Sequence, residues 1–260
     1  MKRLFAAGAS RWDSGAIVLW AVVCMFATAS AHVLAQDDST EAARGALAAG
    51  NWQEAADLGE ATGTAAGWAV AVDALSIHAH YVAPEEEAEA LLQRAMQLAE
   101  EAVLLDPTDP EVRFQLAHAV GRYAQYVSPL QAFAQGLVSR SRELLEDVLE
   151  LDPDMVPARL QLGSWHADVI GQAGPVIARM THSATEDSAL EHYDRVLELA
   201  GDDLGVYAEV ARGLLRLDRD EYRDRAQDLL SRAVALEPQD ALERILHDQV
   251  VRELAELENN

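Results

Sequence analysis

A helix-ending motif recurs along this chain at intervals of roughly one long helical hairpin. Residues 105–107 (Leu-Asp-Pro), 151–153 (Leu-Asp-Pro) and 236–238 (Leu-Glu-Pro) share one pattern, and residues 197–201 supply a fourth ending without the proline. Measured at the proline or at Gly201, the steps are 46, 48 and 37 residues. A repeat of this length predicts stacked helical hairpins, because one hairpin cannot bury its apolar face without a neighbour.

Apolar residues within each unit recur every three or four positions, which is the period of an amphipathic helix. Val112, Leu116 and Val120 follow this spacing in one unit, and Leu242, Leu246 and Val250 follow it in the last. The Asn-Gly and Asp-Gly dipeptides that are typical of β-hairpins do not occur. The sequence therefore predicts an all-α chain, folded as a right-handed superhelical stack of antiparallel helix hairpins.

The two middle units match each other in detail. Residues 113–117 align with residues 159–163, and Ser128-Pro129 aligns with Gly174-Pro175, in both cases 46 positions apart. Each aligned Pro begins an apolar insertion where a plain connection would be short and polar. The insertions either extend the helices and cover the core, or they form the wall of a groove.

The groove interpretation defines the candidate site residues, with Phe133 expected to be structural and Met180 expected to face the groove. In this interpretation, apolar insertion residues form the wall and neighbouring aromatic, His and Arg side chains add polar groups. The ten candidates are Tyr123, Tyr126, Leu130, Phe133, Trp165, His166, Val176, Ile177, Arg179 and Met180.

The second helices of the units resemble those of the tetratricopeptide repeat superfamily. Ala95, Ala99, Ala102 and Pro107 match its spacing of small residues before a proline, and a second copy ends at Pro238. The resemblance covers residues 38–258, and the middle units are longer than usual. Two long-repeat branches are the most similar: the regulator of microtubule dynamics-like group, and the periplasmic T component of tripartite ATP-independent periplasmic transporters.

This resemblance implies a scaffold or adaptor that holds a protein or peptide of the cell envelope. The T-component branch implies instead an auxiliary transport subunit that binds a small hydrophobic or carboxylate ligand. Neither branch implies a cofactor. An enzyme is the least favoured alternative.

Residues 1–35 have the three-part pattern of a secretory signal peptide. Lys2, Arg3 and Arg11 come first, and an apolar run from Ala16 follows. Small residues then precede two candidate cleavage points, after Ala31 and after Ala35, of which the second is favoured. The alternative is an uncleaved membrane anchor, since residues 16–35 approach the length of a span. We expect an exported protein, most simply periplasmic, with the repeat domain over residues 36–260.

The composition excludes several classes of function. The net charge of -24 disfavours nucleic acid and anionic membranes, because both are bound by clustered Lys and Arg. Lys2 is the only lysine and Cys24 the only cysteine, which leaves no Walker-type phosphate loop, Schiff-base lysine or zinc-thiolate cluster in the repeat domain. His78 and His80 point apart on a helix and cannot share a metal. The sequence predicts no catalytic residue, metal site or cofactor.

Overall fold

The computed structural model describes residues 39–259 of the chain. Within that range the backbone is almost entirely helical, and no β-strand occurs. The predicted all-α class is confirmed. The predicted signal segment, residues 1–35, lies outside the described residues. None of the described helices combines the length and the apolar character that crossing a membrane requires.

The helices form two rows. Helices of the inner row contact their successors in that row, and each also packs against helices of the outer row. The inner row contains α3 (Ala65–Ile77), α5 (Pro110–Tyr126), α8 (Val156–Ala173), α11 (Leu204–Leu217) and α13 (Ala241–Asn259). The outer row contains α2 (Trp52–Ala61), α4 (Glu85–Leu105), α7 (Leu137–Leu151), α10 (Glu186–Leu199) and α12 (Arg223–Val234). Helix α1 (residues 39–49) precedes them, and a π-helical turn, His78–Val82, extends α3.

The helix ends are where the repeating motif predicts them. Helices α4 and α7 end at the Leu of their Leu-Asp-Pro motifs. The guanidinium Nε of Arg113 donates to the Pro107 carbonyl at 2.5 Å, and that of Arg159 donates to the Pro153 carbonyl at 2.6 Å. Equivalent Arg side chains thus satisfy equivalent carbonyls in the two turns that follow these helices.

The two insertions form short helices of their own, α6 (Pro129–Ala134) and α9 (Pro175–His182). We call them the insertion helices. Each is anchored by one fully buried alanine, Ala132 in α6 and Ala178 in α9, and these positions are again 46 residues apart. Glycines with positive φ, Gly136 after α6 and Gly174 before α9, let the chain turn sharply at the edges of the insertions.

The two ends of the stack touch each other. A Cβ placed on Gly50, which follows α1, would lie 2.7 Å from the Cβ of Ala241 at the start of α13. Tyr81, in the π-helical turn, packs against the apolar cluster of the last repeats. The inner face of the stack is therefore narrowed by the protein's own side chains.

Candidate functional site

A cavity of about 520 Å³ lies between the insertion helices and the helices that flank them. We call it the insertion cavity. Its volume falls within the range of small-molecule sites, roughly 300–1,000 Å³. Its lining comes from α5 to α9: Gly121, Ala124, Gln125, Val127, Pro129, Ala132, Phe133, Val138, Ser141, Gln161, Ser164, Trp165, Asp168, Val169, Gln172, Ala173, Ile177, Thr181 and His182.

Aromatic rings form one part of the cavity lining. The His182 ring lies edge-on to Phe133 at 6.4 Å and to Trp165 at 6.3 Å between centroids. The Trp165 indole N–H donates to the Val138 carbonyl at 2.9 Å, which fixes the ring on α7. The Arg142 guanidinium lies 5.5 Å from the centre of the Trp165 ring and donates to the His182 carbonyl at 2.7 Å. Arg142 thus joins α7, α8 and α9 behind the cavity.

A second part of the lining is polar, and we call Gln125, Ser141, Gln161, Ser164 and Asp168 the polar wall. Asp168 pairs with Arg216 Nε at 3.2 Å and accepts a hydrogen bond from Gln125 Nε2 at 3.3 Å. Burial raises the pKa of the Asp168 carboxyl, and Arg216 and Gln125 act against that rise. The wall therefore contains a carboxylate whose charge is already balanced.

Gln161 is held on the polar wall by helix α5. Its Oε1 lies 3.2 Å from His118 Nδ1, and its Nε2 lies 3.4 Å from the Ala117 carbonyl. Gly121 leaves room for this side chain, because a Cβ there would come within 2.6 Å of Gln161 Nε2 and 3.2 Å of Ser141 Oγ. Ser141 is only 3% exposed, and its hydroxyl has no hydrogen-bond partner within the described part of the chain.

The insertion helices also expose large apolar side chains, which we name the apolar rim: Leu130, Phe133, Val176, Ile177 and Met180. Phe133 and Ile177 line the cavity as well, whereas Leu130, Val176 and Met180 lie outside it. Phe133, expected to be structural, is 65% exposed, and Met180 is 81% exposed. The insertions therefore do more than cover the core, because each has one buried anchor and an exposed apolar side.

Three of the ten sequence-derived candidates, Phe133, Trp165 and Ile177, line the cavity. Four others do not line it and are not on the rim. Tyr123 is buried in the core, where its hydroxyl donates to Glu89 at 3.3 Å. Tyr126 donates to the Glu85 carbonyl at 3.0 Å, and Arg179 is exposed on α9.

His166, the fourth of these, is buried and has a structural role. Its Nδ1 accepts the backbone N–H of Thr185, the N-cap residue of α10, at 3.3 Å. Its ring stacks on His192 at 6.1 Å. Burial, with smaller contributions from His192 and Arg142, lowers the pKa of His166 to about 4, so the ring is neutral near pH 7.

Both insertion helices lie in segments of the sequence without acidic residues. Residues 112–142 and residues 169–185 contain no Asp or Glu, although the chain has 44 of them. Both insertion helices fall within these two segments. The rim is therefore apolar and free of negative charge on a protein that is otherwise strongly acidic.

The inner face of the stack differs, because the charged groups around Arg212 are paired with one another. Arg212 donates to Glu209 at 2.6 Å, to Glu253 at 3.0 Å and to Gln249 at 3.2 Å. Burial acts to raise the pKa of Glu209, but Arg212 and Arg216 outweigh it and hold that pKa below its usual value. Because Arg212 and its carboxylate partners neutralise one another, this group of residues has little net charge with which to attract a ligand.

The cavity lining contains few ionisable groups among the described residues. Its ionisable lining residues are Asp168, which is paired, and His182, whose ring packs against aromatic side chains. Over residues 39–259, no three His, Cys, Asp or Glu side chains are grouped in a way that could hold a metal ion.

The polar wall is the part of the site that the sequence did not reveal. Ser141, Gln161 and Gln125 come from three helices and are ordinary helix residues when read singly. The one available signal is Gly121, since glycine inside a helix is unfavourable by about 1 kcal/mol and suggests a close approach at that position.

Comparison with solved structures shows the fold. The thermophilic tetratricopeptide repeat protein TTC0263 of Thermus thermophilus is 16% identical, with a TM-score of 0.60 over 84% of this chain and 99% of its own. A double mutant described as MamA RS-1 ArsTM is 18% identical, with a TM-score of 0.37 over 74% of this chain and 95% of its own. No family model and no curated protein matches the sequence. The chain has a tetratricopeptide-repeat-like fold with two inserted helices.

Proposed function

We propose that this protein is an exported, non-enzymatic scaffold of the cell envelope that binds a protein partner through its apolar rim. The observation that supports this most directly is the exposure of all five rim side chains on two adjacent short helices. Contiguous exposed apolar surface marks interaction sites on soluble proteins. A tetratricopeptide-like stack is also a rigid support that can hold such helices in place.

The chemistry of the partner follows from the charge around the rim. A segment that docks there meets apolar side chains and no carboxylate from either insertion helix, while the chain as a whole carries -24. An acidic partner would be repelled by that net charge. The fitting partner is therefore an apolar helix or loop of an envelope protein, flanked by neutral or basic residues.

Substitution of rim residues tests partner binding. Met180→Asp and Val176→Asp should each abolish capture of a partner that the wild-type protein retains from an envelope extract. Leu104→Asp is the matched control, because Leu104 is 82% exposed on α4 and lies outside the insertions. If all three variants captured the partner as well as the wild-type protein does, the partner would not bind through the rim.

Export is tested separately. Mass spectrometry of the protein from its native host should find Gln36 at the N-terminus, since Ala35 ends a small-x-small cleavage site. A retained Met1 would indicate a membrane anchor.

The second candidate function is that of an auxiliary subunit of a transport system that binds a small molecule. The insertion cavity favours it, because a volume of about 520 Å³ accommodates a small ligand without rearrangement. The cavity and the rim share only Phe133 and Ile177, so the two functions can be tested with different substitutions.

A further inference from the structure

The insertion cavity has two kinds of surface in its lining. Phe133, Trp165, Val169 and Ile177 supply apolar surface, and the polar wall supplies hydrogen-bonding groups. A ligand that fills such a cavity needs an apolar body and a polar head. Both parts matter, because a polar group that loses water without a new partner is destabilised by several kcal/mol.

Ser141 supplies the polar wall with a hydroxyl that a ligand in the cavity can reach. Its hydroxyl lines the cavity in a residue that is 3% exposed, and it bonds no protein group within the described residues. Ser231 on α12 differs, because its Oγ donates to the Gln227 carbonyl at 2.7 Å. Ser76 on α3 also has no hydrogen-bond partner in the described range, but its hydroxyl is buried and does not line the cavity. The Ser141 hydroxyl is open to the cavity instead, so a ligand there can bond to it.

The charge of the wall indicates a neutral head group. An anionic head would face the Asp168 carboxylate. A cationic head would compete with Arg216, which already pairs with that carboxylate at 3.2 Å, and would lose its own hydration. An amide or hydroxyl avoids both penalties and can donate and accept hydrogen bonds at once.

We propose that the insertion cavity binds a small neutral amphipath, with its apolar body against Trp165 and Ile177 and its amide or hydroxyl head hydrogen-bonded to Ser141 and Gln161. Gly121 belongs to this site, because any larger residue would fill the space beside both head-group contacts. This proposal rests on the second candidate function, small-molecule binding in the insertion cavity, and it names the class of ligand. It depends on the polar wall rather than on Leu130, Val176 or Met180.

The test uses three probes of equal chain length, octanamide, octanoate and octylamine, titrated calorimetrically into the purified protein. We expect octanamide to bind at one site with a Kd of about 1 mM or below. Octanoate and octylamine should bind at least about tenfold more weakly. Tighter binding of either charged probe, or no octanamide binding up to several millimolar, would overturn the proposal.

Two substitutions locate the site. Ser141→Ala should weaken octanamide about fivefold or more without lowering the melting temperature, because it removes an unpaired hydroxyl. Gly121→Ala should abolish octanamide binding, and alanine favours the helix it enters. Ser231→Ala is the control and should bind octanamide like the wild type. Unchanged binding in Ser141→Ala and Gly121→Ala would show that the head group does not contact this wall.

Failure of this proposal can be told apart from failure of the proposed scaffold function. Met180→Asp should lose the protein partner and keep octanamide, since Met180 lies outside the cavity. Ser141→Ala should keep the protein partner and bind octanamide more weakly.

Discussion

On the inner face of the stack, which the inner-row helices form, the charged side chains around Arg212 pair with one another. On the insertion face, which the two insertion helices form, apolar side chains are exposed to solvent. Arg212 is surrounded by Glu209, Glu253 and Gln249, while Met180 on α9 is 81% exposed. Helical repeat proteins commonly use an extended concave surface for binding. Here Tyr81 narrows that surface, and the charged groups around Arg212 pair within it. The exposed apolar surface lies on the insertion helices instead. In the proposed function, the repeats therefore act mainly as a support for the insertions.

The largest expected effect tests whether inner-face pairing stabilises the fold. Arg212→Ala leaves Glu209 and Glu253 without their cation in a partly buried setting, and we expect a loss of about 2–3 kcal/mol in the free energy of unfolding. Arg195→Ala is the matched control, because Arg195 pairs with Asp154 and Glu198 at the exposed surface, and we expect a much smaller loss there. Urea denaturation measures both. Equal losses would mean that the inner-face network is no different from surface pairs.

A second prediction concerns Asp73 on α3, an inner-row carboxylate with no ion pair within the described chain. Burial and, secondarily, Glu111 and Asp240 raise the pKa of Asp73 from 3.8 to about 6, while Arg122 opposes the rise. The folded state therefore holds this proton more tightly than the unfolded state, so stability falls as the pH rises from about 4 to about 6 and stays at the lower level above that.

Asp73→Asn removes that ionisation. We expect the variant to be more stable than wild type by about 1–2 kcal/mol at pH 8, allowing for partial solvent exposure, and the gain to shrink to near zero by about pH 4. Thermal melts across this pH range give the measurement. A gain that stays constant from pH 4 to pH 8 would contradict a titration effect.

The smallest expected effects are on the insertion face. Phe133→Ala and Met180→Ala should each change the free energy of unfolding by less than about 1 kcal/mol, because both side chains are largely exposed. Chemical denaturation distinguishes this from the roughly 2–5 kcal/mol that buried truncations cost. A loss in that higher range at either residue would place it in the core and weaken the contrast between the two faces.

The sequence predicts the framework well, because helix period and helix ends depend on local interactions. The Leu-Asp-Pro endings and the paired starts at Pro129 and Pro175 all appear as expected. The 46-residue equivalence of the insertions is also visible in the sequence. Each of these signals depends on residues that are close together in the chain.

The site is less predictable, because side-chain surroundings depend on packing between repeats. His166 and Tyr123 have polar groups that suit a groove, yet both turn into the core, where Thr185 and Glu89 satisfy them. Ser141 is unremarkable in sequence, and it becomes a candidate only because no neighbouring helix in the described range supplies a partner. Periodicity identifies the buried side of a helix but not which polar residues on that side are satisfied.

The contact between Gly50 and Ala241 has a consequence for how this chain unfolds. In an open array of repeats, the terminal hairpins have a neighbour on one side only and fray first. Here the first turn rests on the last helix, so each end gains a second neighbour from the opposite end of the sequence. Such a contact forms late in folding, after the intervening helices are in place. Hydrogen exchange should accordingly show α2 and α13 opening together, as one cooperative unit, and not one repeat at a time.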